Sequence, residues 1–356
     1  MNVQMTLSNS LKAKPTDESK LGFGQIFTDH MLMINYTEGQ GWHDARVVPY
    51  QNLSLDPSCQ VLHYGQEIFE GLKCYRTENG EFNLFRPTEN FNRMKRSAER
   101  IGMAQLPVEE AMEGLLALLS ADKEWTPHQE GTSLYIRPTM IATDAFLGVS
   151  ASKTYLFYII LSPSGAYYAS GLAPVGIYVE DELVRAVRGG VGFAKTGGNY
   201  AASILASVNA KKNGYAQVLW LDGVQQRYIE EVGAMNMMFV YEGKRIVTPA
   251  LNGSILPGIT RDSVLKLGAK LGYEVEETHM DINDVIADIK SGKLTEAFGT
   301  GTAAVVSPVD KICFKGEEIA IGKGGIGEVT QKLYDTLTGI QFGTTEDTMD
   351  WIVKVK

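Results

Sequence analysis

The sequence predicts an α+β protein built from two domains. At 356 residues it exceeds what one hydrophobic core ordinarily serves. Apolar residues at 44% and charged residues at 21% are those of an ordinary globular chain. Strand-like and helix-like segments follow one another without strict βαβ alternation, and no repeat period or low-complexity tract is visible. A formal net charge of -9 opposes broad binding to a phosphate backbone, so nucleic acid is not an expected partner.

The opening segment MNVQMTLSNSLKAKPTDESK is polar and lacks the apolar stretch and cleavage site of a signal peptide, so residues 1–20 read as a mobile tail. The longest apolar run, Tyr155 to Leu161, is too short to cross a bilayer, and a cytoplasmic location follows as an expectation. Cys59, Cys74 and Cys313 form no C-x-x-C pair and no ligand cluster with the scattered histidines, which indicates neither a disulfide framework nor a zinc site. Residues 71–86 alternate, turn at Asn79-Gly80 and resume, the form of a hairpin with a type I′ turn. Thr88 then suits the cap of a helix carrying Phe91, Met94, Ala98 and Ile101, and a second helix starts near Val108. Strands SLYIRPTMIAT and YLFYIILSP follow. The chain changes character from Ser164 to Gly171, which places a small domain at 21–165, a linker at 166–176 and a large domain at 177–356. In the large domain a helix through Ala201 to Lys212 stops at Asn213-Gly214, QVLWLDG forms a strand, IEEVGAMNMMFVY and RIVTP are strands joined at Glu242-Gly243, and a helix runs from Thr260 to Leu271.

Lys195 stands among Gly189, Gly190, Gly192, Gly197 and Gly198. Glycines let backbone pass close to a ligand, and a desolvated lysine amine there is a nucleophile able to form a Schiff base. The rival reading is a surface lysine in a loop. A phosphate-binding G-x-x-x-x-G-K-[ST] loop is a further rival, but Ala194 stands where its last glycine belongs, and ELVRAVR lacks the apolar strand that should feed it. Two turns suit an anion: Pro257-Gly258 before a helix beginning near Ile259-Thr260, and Gly299-Thr300-Gly301-Thr302 before an apolar strand. Arg93, three residues after Asn90, offers a planar fork to the same anion. Alternation would send Glu230 and Glu231 to opposite strand faces, so one of them would turn inward and need a partner such as a protonated ring nitrogen; the rival reading is a surface strand carboxylate.

HYGQEIFEGLK, LFRPTENFNRM, SLYIRP, GGVGFAKTGGNYAAS, YIEEVGAMN, NGSILPGITRD and GTGTAAVVSPV stand in an order that resembles the branched-chain amino acid aminotransferases, pyridoxal-phosphate enzymes of fold type IV (aminotransferase class IV). The resemblance implies a two-domain fold, a small N-terminal and a larger C-terminal cofactor-binding domain with the site between them. It implies pyridoxal 5′-phosphate held as a Schiff base on Lys195, with Glu231 at the pyridine nitrogen and Tyr200 beside the phenolic oxygen. Arg93, the N–H groups of Ile259 and Thr260, and Thr302 would hold the phosphate. Tyr64, Thr302 and Ala303 correspond to groups that bind the substrate α-carboxylate, and Phe69, Tyr135 and Tyr167 to the apolar wall around a branched side chain. Arg137 resembles the arginine that takes the distal carboxylate of glutamate. Leu147 and Val149 match residues that reach across from a partner subunit, which implies a homodimer with shared sites. The implied reaction exchanges the amino group of leucine, isoleucine or valine with 2-oxoglutarate in two half-reactions at one site, hence ping-pong kinetics.

Ala304 and Ser307 stand where some animal members carry a C-x-x-C, so thiol control of that kind is absent, and Ala234 replaces a hydroxyl residue common in the family. D-amino acid aminotransferases and aminodeoxychorismate lyases share the lysine and glutamate logic; FEGLK and GTGTAAV favour the branched-chain group. A catalytically silent cofactor-binding protein is the alternative from a different class, opposed by the joint presence of Lys195, Glu231 and Tyr200.

Overall fold

Two nine-stranded sheets, one open and one closed on itself, organise the chain. They are seen in a computed structural model that describes residues 2–165 and 172–356. Each sheet frames one unit. Unit 1 takes Met1–Ala169, Ala194–Gly197 and Gly339–Lys356, and unit 2 takes Ser170–Phe193 and Gly198–Thr338. Lys195 and the last residues of the chain thus belong with unit 1, unlike in the boundaries expected from composition.

In unit 1 the strands are β1 (Gln4–Met5), β2 (His30–Thr37), β3 (Gly41–Pro49), β4 (Glu67–Phe69), β5 (Leu72–Arg76), β6 (Phe82–Phe85), β7 (Ser133–Ala142) and β8 (Thr154–Ser164), and the strand Ile352–Val355 pairs with β6. Their order is β1-β3-β2-β8-β7-β5-β6, with β4 beside β7. The near-continuous apolar run of β8 fits a strand covered on both faces. On one face, helices α2 (Pro87–Arg100) and α3 (Val108–Asp122) bury Phe91, Met94, Leu115 and Leu118 against Leu32, Ile136 and Phe157. On the other, Met31, Met33, Ile141 and Leu156 pack beneath Leu53, Leu55 and Val61, the last of these on the short helix α1 (Gln60–Tyr64).

Three local expectations are corrected here. Only Gly80 of the hairpin turn has positive φ, at 78°, whereas a type I′ turn needs it at both central residues. Gly80 N–H donates to Thr77 O and Thr77 N–H to Glu81 O, each at 2.9 Å, a type I turn widened by a glycine bulge. Thr88 does not cap α2. The helix starts one residue earlier on Pro87, whose fixed φ suits the first helical position, with Arg86 at the cap and no side-chain cap bond. The opening segment, expected as a mobile tail, is tied down: β1 runs parallel to β3, Ser8 N–H donates to His30 Nε2 at 2.9 Å, and Lys12 N–H to Asp29 Oδ1 at 2.7 Å.

Unit 2 contains β9 (Val175–Glu180), β10 (Gln217–Leu221), β11 (Ile229–Val232), β12 (Met235–Tyr241), β13 (Arg245–Pro249), β14 (Glu274–Thr278), β15 (Leu294–Gly301), β16 (Val305–Phe314) and β17 (Glu317–Ala320). The path β11-β10-β9-β16-β15-β12 closes because β11 also pairs with β12. Closure leaves these strands without a free edge. Ile177, Leu219, Val232, Met237, Phe239 and Ile312 make the core, packed against α6 (Ile282–Lys290). Helix α4 (Gly197–Lys212) sets Ala206 and Ala210 on Val218 and Trp220. Helices α5 (Ile259–Lys270) and α7 (Glu328–Phe342) complete the helical elements. The segment expected as one strand, IEEVGAMNMMFVY, is two. Gly233 has φ 56°, folding β11 back on β12 so that Glu231 lies opposite Asn236.

Candidate active site

Lys195 is held by its backbone. Its N–H donates to Ser97 Oγ at 2.9 Å, its carbonyl accepts Phe69 N–H at 3.0 Å, and Thr196 Oγ1 donates to Glu67 O at 2.7 Å. Lys195–Gly197 therefore runs along the edge of β4 that β7 leaves open. The side chain is half-buried, with Nζ 4.8 Å from the centre of the Phe69 ring. A Cβ at residue 197 would meet the Glu67 carboxylate, which would have to move aside.

Arg93 faces inward from α2 and meets Glu70 with both arms of its fork, Nε to Oε1 and Nη2 to Oε2, each at 2.8 Å. Asn90 Nδ2 donates to the same carboxylate at 2.9 Å. Burial by itself raises the Glu70 carboxyl, but Arg93, the Lys195 charge and Asn90 together hold it below the usual carboxylate range. The i, i+3 spacing from Asn90 to Arg93 puts both side chains on one helix face.

Arg137 on β7 lies with Cζ 4.8 Å from the Phe69 ring centre and 5.2 Å from that of Tyr135, and its Nη2 donates to Tyr135 Oη at 3.1 Å. Its Nε is buried without a hydrogen-bond partner among the described residues. Phe23 packs edge-on against Tyr135, ring centres 4.7 Å apart. Tyr64 ends α1 with its hydroxyl donating to the Leu147 carbonyl. Leu147 and Val149 are 61% and 85% exposed on this chain. Tyr167, expected in the apolar wall, lies outside the described residues.

In unit 2 both Glu230 and Glu231 are buried. Glu230 accepts from Asn252 Nδ2 at 2.9 Å and from Ser254 Oγ. Glu231 accepts from Asn236 Nδ2 at 3.2 Å and Leu256 N–H at 2.9 Å, and Arg185 Nε stands 2.8 Å from its Oε2. Asn236 Nδ2 also donates to Leu256 O at 2.9 Å, fixing the turn that leads to Gly258. Gly258 is the N-cap of α5 and supplies no side-chain cap, and Ile259 and Thr260 are the first residues of the helix. A Cβ on Gly258 would strike Asn236 Oδ1. Thr302 and Ala303 occupy the turn between β15 and β16, and Thr300 Oγ1 beside it is buried without a partner among the described residues. Tyr200 lies in the first turn of α4, its carbonyl accepting from Ser203 Oγ at 2.7 Å.

The sequence reading passed over Glu67, Glu70, Ser97, Arg185 and Asn236. Glu70 sat inside the quoted FEGLK motif without a role, and Arg185 inside ELVRAVR, read only as a poor strand. A buried charge needs a countercharge, so the inward-facing Arg93 was the one signal pointing to a partner such as Glu70.

Residues 67–312 match the family model of amino-transferase class IV. A probable branched-chain-amino-acid aminotransferase of Staphylococcus aureus is 56% identical over 354 residues, covering 99% of this chain and 98% of that protein. The crystal structure of the Escherichia coli branched-chain amino acid aminotransferase superposes with TM-score 0.76 at 29% identity, covering 91% of this chain and 99% of that one. The branched-chain aminotransferase of the thermophilic archaeon Thermoproteus uzoniensis, solved with norvaline, gives TM-score 0.74 at 26% identity, covering 91% and 100%. The chain therefore belongs to the class IV aminotransferases, in their branched-chain-amino-acid aminotransferase branch.

Proposed function

We propose that this chain is a pyridoxal-phosphate-dependent transaminase that interconverts leucine, isoleucine or valine and 2-oxoglutarate with the branched 2-oxo acid and glutamate. The cofactor fits the residues present. Glu231, buried beside Arg185 and accepting from Asn236 and the Leu256 N–H, is the acceptor that a protonated pyridine nitrogen requires. The start of α5, whose N-cap Gly258 brings no side chain, suits a phosphate. When bound, pyridoxal phosphate supplies an electron sink that acidifies the substrate Cα–H.

Lys195 would hold the cofactor through Nζ, and its amine would move the proton at the substrate Cα. Glu231 keeps the ring nitrogen protonated, and Tyr200 hydrogen-bonds the phenolic oxygen. Arg93, the N–H groups of Ile259 and Thr260, and Thr302 bind the phosphate. Tyr64, Thr302 and Ala303 orient the α-carboxylate, while Phe69, Tyr135 and Tyr167 exclude water from the branched side chain. Leu147 and Val149 would serve the site of a partner subunit in a homodimer, located in the cytoplasm. Among the described residues no helix is long and apolar enough to cross a membrane.

The observation that carries the substrate assignment is Arg137: one cation set against aromatic rings, with a buried Nε that no described residue uses. An apolar pocket with one such cation accommodates leucine or the distal carboxylate of glutamate. The test is glutamate formation from leucine and 2-oxoglutarate by the purified protein, set against D-alanine as donor. Activity with D-alanine alone would reject the assignment. Borohydride reduction followed by peptide mapping should leave the pyridoxyl group on Lys195, and Lys195→Ala should abolish the yellow colour; a label on another lysine would remove Lys195 from its role.

A further inference from the structure

Glu67 is a carboxylate to which the transamination assigns no role. Residues 67 and 69 of β4 point to one face, and β4 pairs with β7 so that Phe69 lies opposite Thr139 and Glu67 opposite Ile141. Arg137, two residues before Thr139, shares that face, and so does Tyr158 on β8, which lies opposite Thr139. Arg137 Cζ sits 4.8 Å from the Phe69 ring centre, and the Arg137 charge acts on the Glu67 carboxyl. The Glu67 carboxylate accepts the Gly197 N–H at the start of α4, and a Cβ at 197 would displace it. The charged and titratable groups facing it are Arg137 from β7, Tyr158 from β8 and the N-terminus of α4 through Gly197.

We infer that Glu67 is a specificity-determining residue, its negative charge opposing the second carboxylate of a dicarboxylic substrate at Arg137 and its protonation admitting it. The inference rests on the reading of Arg137 as the partner of that carboxylate. Two anions sharing one partly desolvated cation repel, and the group able to take up a proton relieves the conflict. Glu67 is disposed to do so: burial raises its carboxyl above the usual range, more than the Gly197 N–H and Arg137 lower it. A dicarboxylate should then bind with uptake of a proton from solvent onto Glu67, and a branched monocarboxylate without it.

The test uses the holoenzyme and two unreactive acids, glutarate and 4-methylvalerate, titrated calorimetrically in buffers of different ionisation heat. Glutarate binding should take up a substantial fraction of a proton in the parent enzyme and close to none in Glu67→Gln. At pH 7.5 the variant should bind glutarate about tenfold more tightly, because a like charge is removed from a partly desolvated site, while its affinity for 4-methylvalerate shifts less than twofold. Equal proton uptake in parent and variant overturns the inference. So does a parallel loss of affinity for both acids, the mark of a carboxylate that only caps α4. Arg137→Met separates the two levels. If it leaves glutarate binding intact, the Arg137 reading fails and the inference with it; if it abolishes glutarate binding while Glu67→Gln leaves affinity and proton count unchanged, only the role of Glu67 fails. Should Glu67→Gln not fold, the parent enzyme decides, since equal proton counts for the two acids overturn the inference.

Discussion

Unit 1 buries Arg93 against Glu70 and unit 2 buries Arg185 against Glu231, with side chains 5% and 0% exposed in the first pair and 8% and 4% in the second. In unit 1 the guanidinium fork meets both carboxylate oxygens at 2.8 Å, and Asn90 and the Gly71 N–H add further bonds. In unit 2 Arg185 Nε lies 2.8 Å from Glu231 but without hydrogen-bond alignment, and its Nη2 donates instead to the carbonyls of Gly192 and Ser254. The first pair is locked by direction, which fixes where Arg93 points. The second is held by charge, with the direction of Glu231 set by Asn236 and Leu256. An aligned, multiply bonded pair suits a structural anchor, and a charge contact suits a carboxylate that must answer to a ligand.

Removing one partner should show the contrast most strongly in stability. Glu70→Ala strands Arg93 in the interior and should cost about 3–5 kcal/mol of unfolding free energy. Glu231→Ala should cost clearly less, because Arg185 keeps its carbonyl acceptors. Denaturant titration of both variants compares them, and equal losses would break the distinction.

Function should show the reverse order. Glu231→Ala should retain cofactor and slow the half-reactions about 10²-fold or more, the usual effect of losing one preorganised electrostatic contact. Single-turnover rates close to those of the parent would show that Glu231 is not the partner of the pyridine nitrogen. Arg137→Met sharpens the comparison by testing a cation of unit 1 that is not locked to a carboxylate. It should raise KM for 2-oxoglutarate about tenfold while moving that for leucine little, since only the dicarboxylate loses a charged contact. An equal rise for both would make Arg137 structural.

The smallest effect concerns pH. The Glu70 carboxyl is held below its ordinary value, so its contribution to stability is fully present above the unfolded value near 4.5 and is lost as pH falls through the lower folded one. Unfolding free energy measured from pH 7 to pH 3 should therefore fall more steeply in the parent than in Glu70→Gln. Parallel slopes would mean that Arg93 does not hold Glu70 charged.

Much of the frame was legible because it is written in local terms. The apolar run of β8 announced a strand, and Lys195 was marked by the glycines around it, of which Gly197 lies against the Glu67 carboxylate. Turn and cap details were misread where one residue outweighed the expected one: Gly80 without Asn79, Pro87 before Thr88, Gly233 inside an apolar run. In each the backbone conformation was decided by a neighbour the pattern did not rank. Glu67 and Glu70 were invisible for another reason, being two among 42 acidic residues whose partners are distant in sequence.

The sequence by itself determined the class of the protein, because seven motifs in one order and a lysine between glycines are properties of the chain read along its length. Hydrophobic periodicity likewise determined where most strands and helices lie, since burial of an alternating or 3.6-period face is a local demand. Tertiary structure alone decided that Lys195 is tied to β4, that Glu70 locks Arg93, that Arg185 faces Glu231, and that the strand Ile352–Val355 completes the sheet of unit 1 beside β6. These are contacts between residues far apart in sequence. Which charge meets which is settled by closing the chain around a core, and a buried charge accepts whichever opposite partner that closure brings within reach.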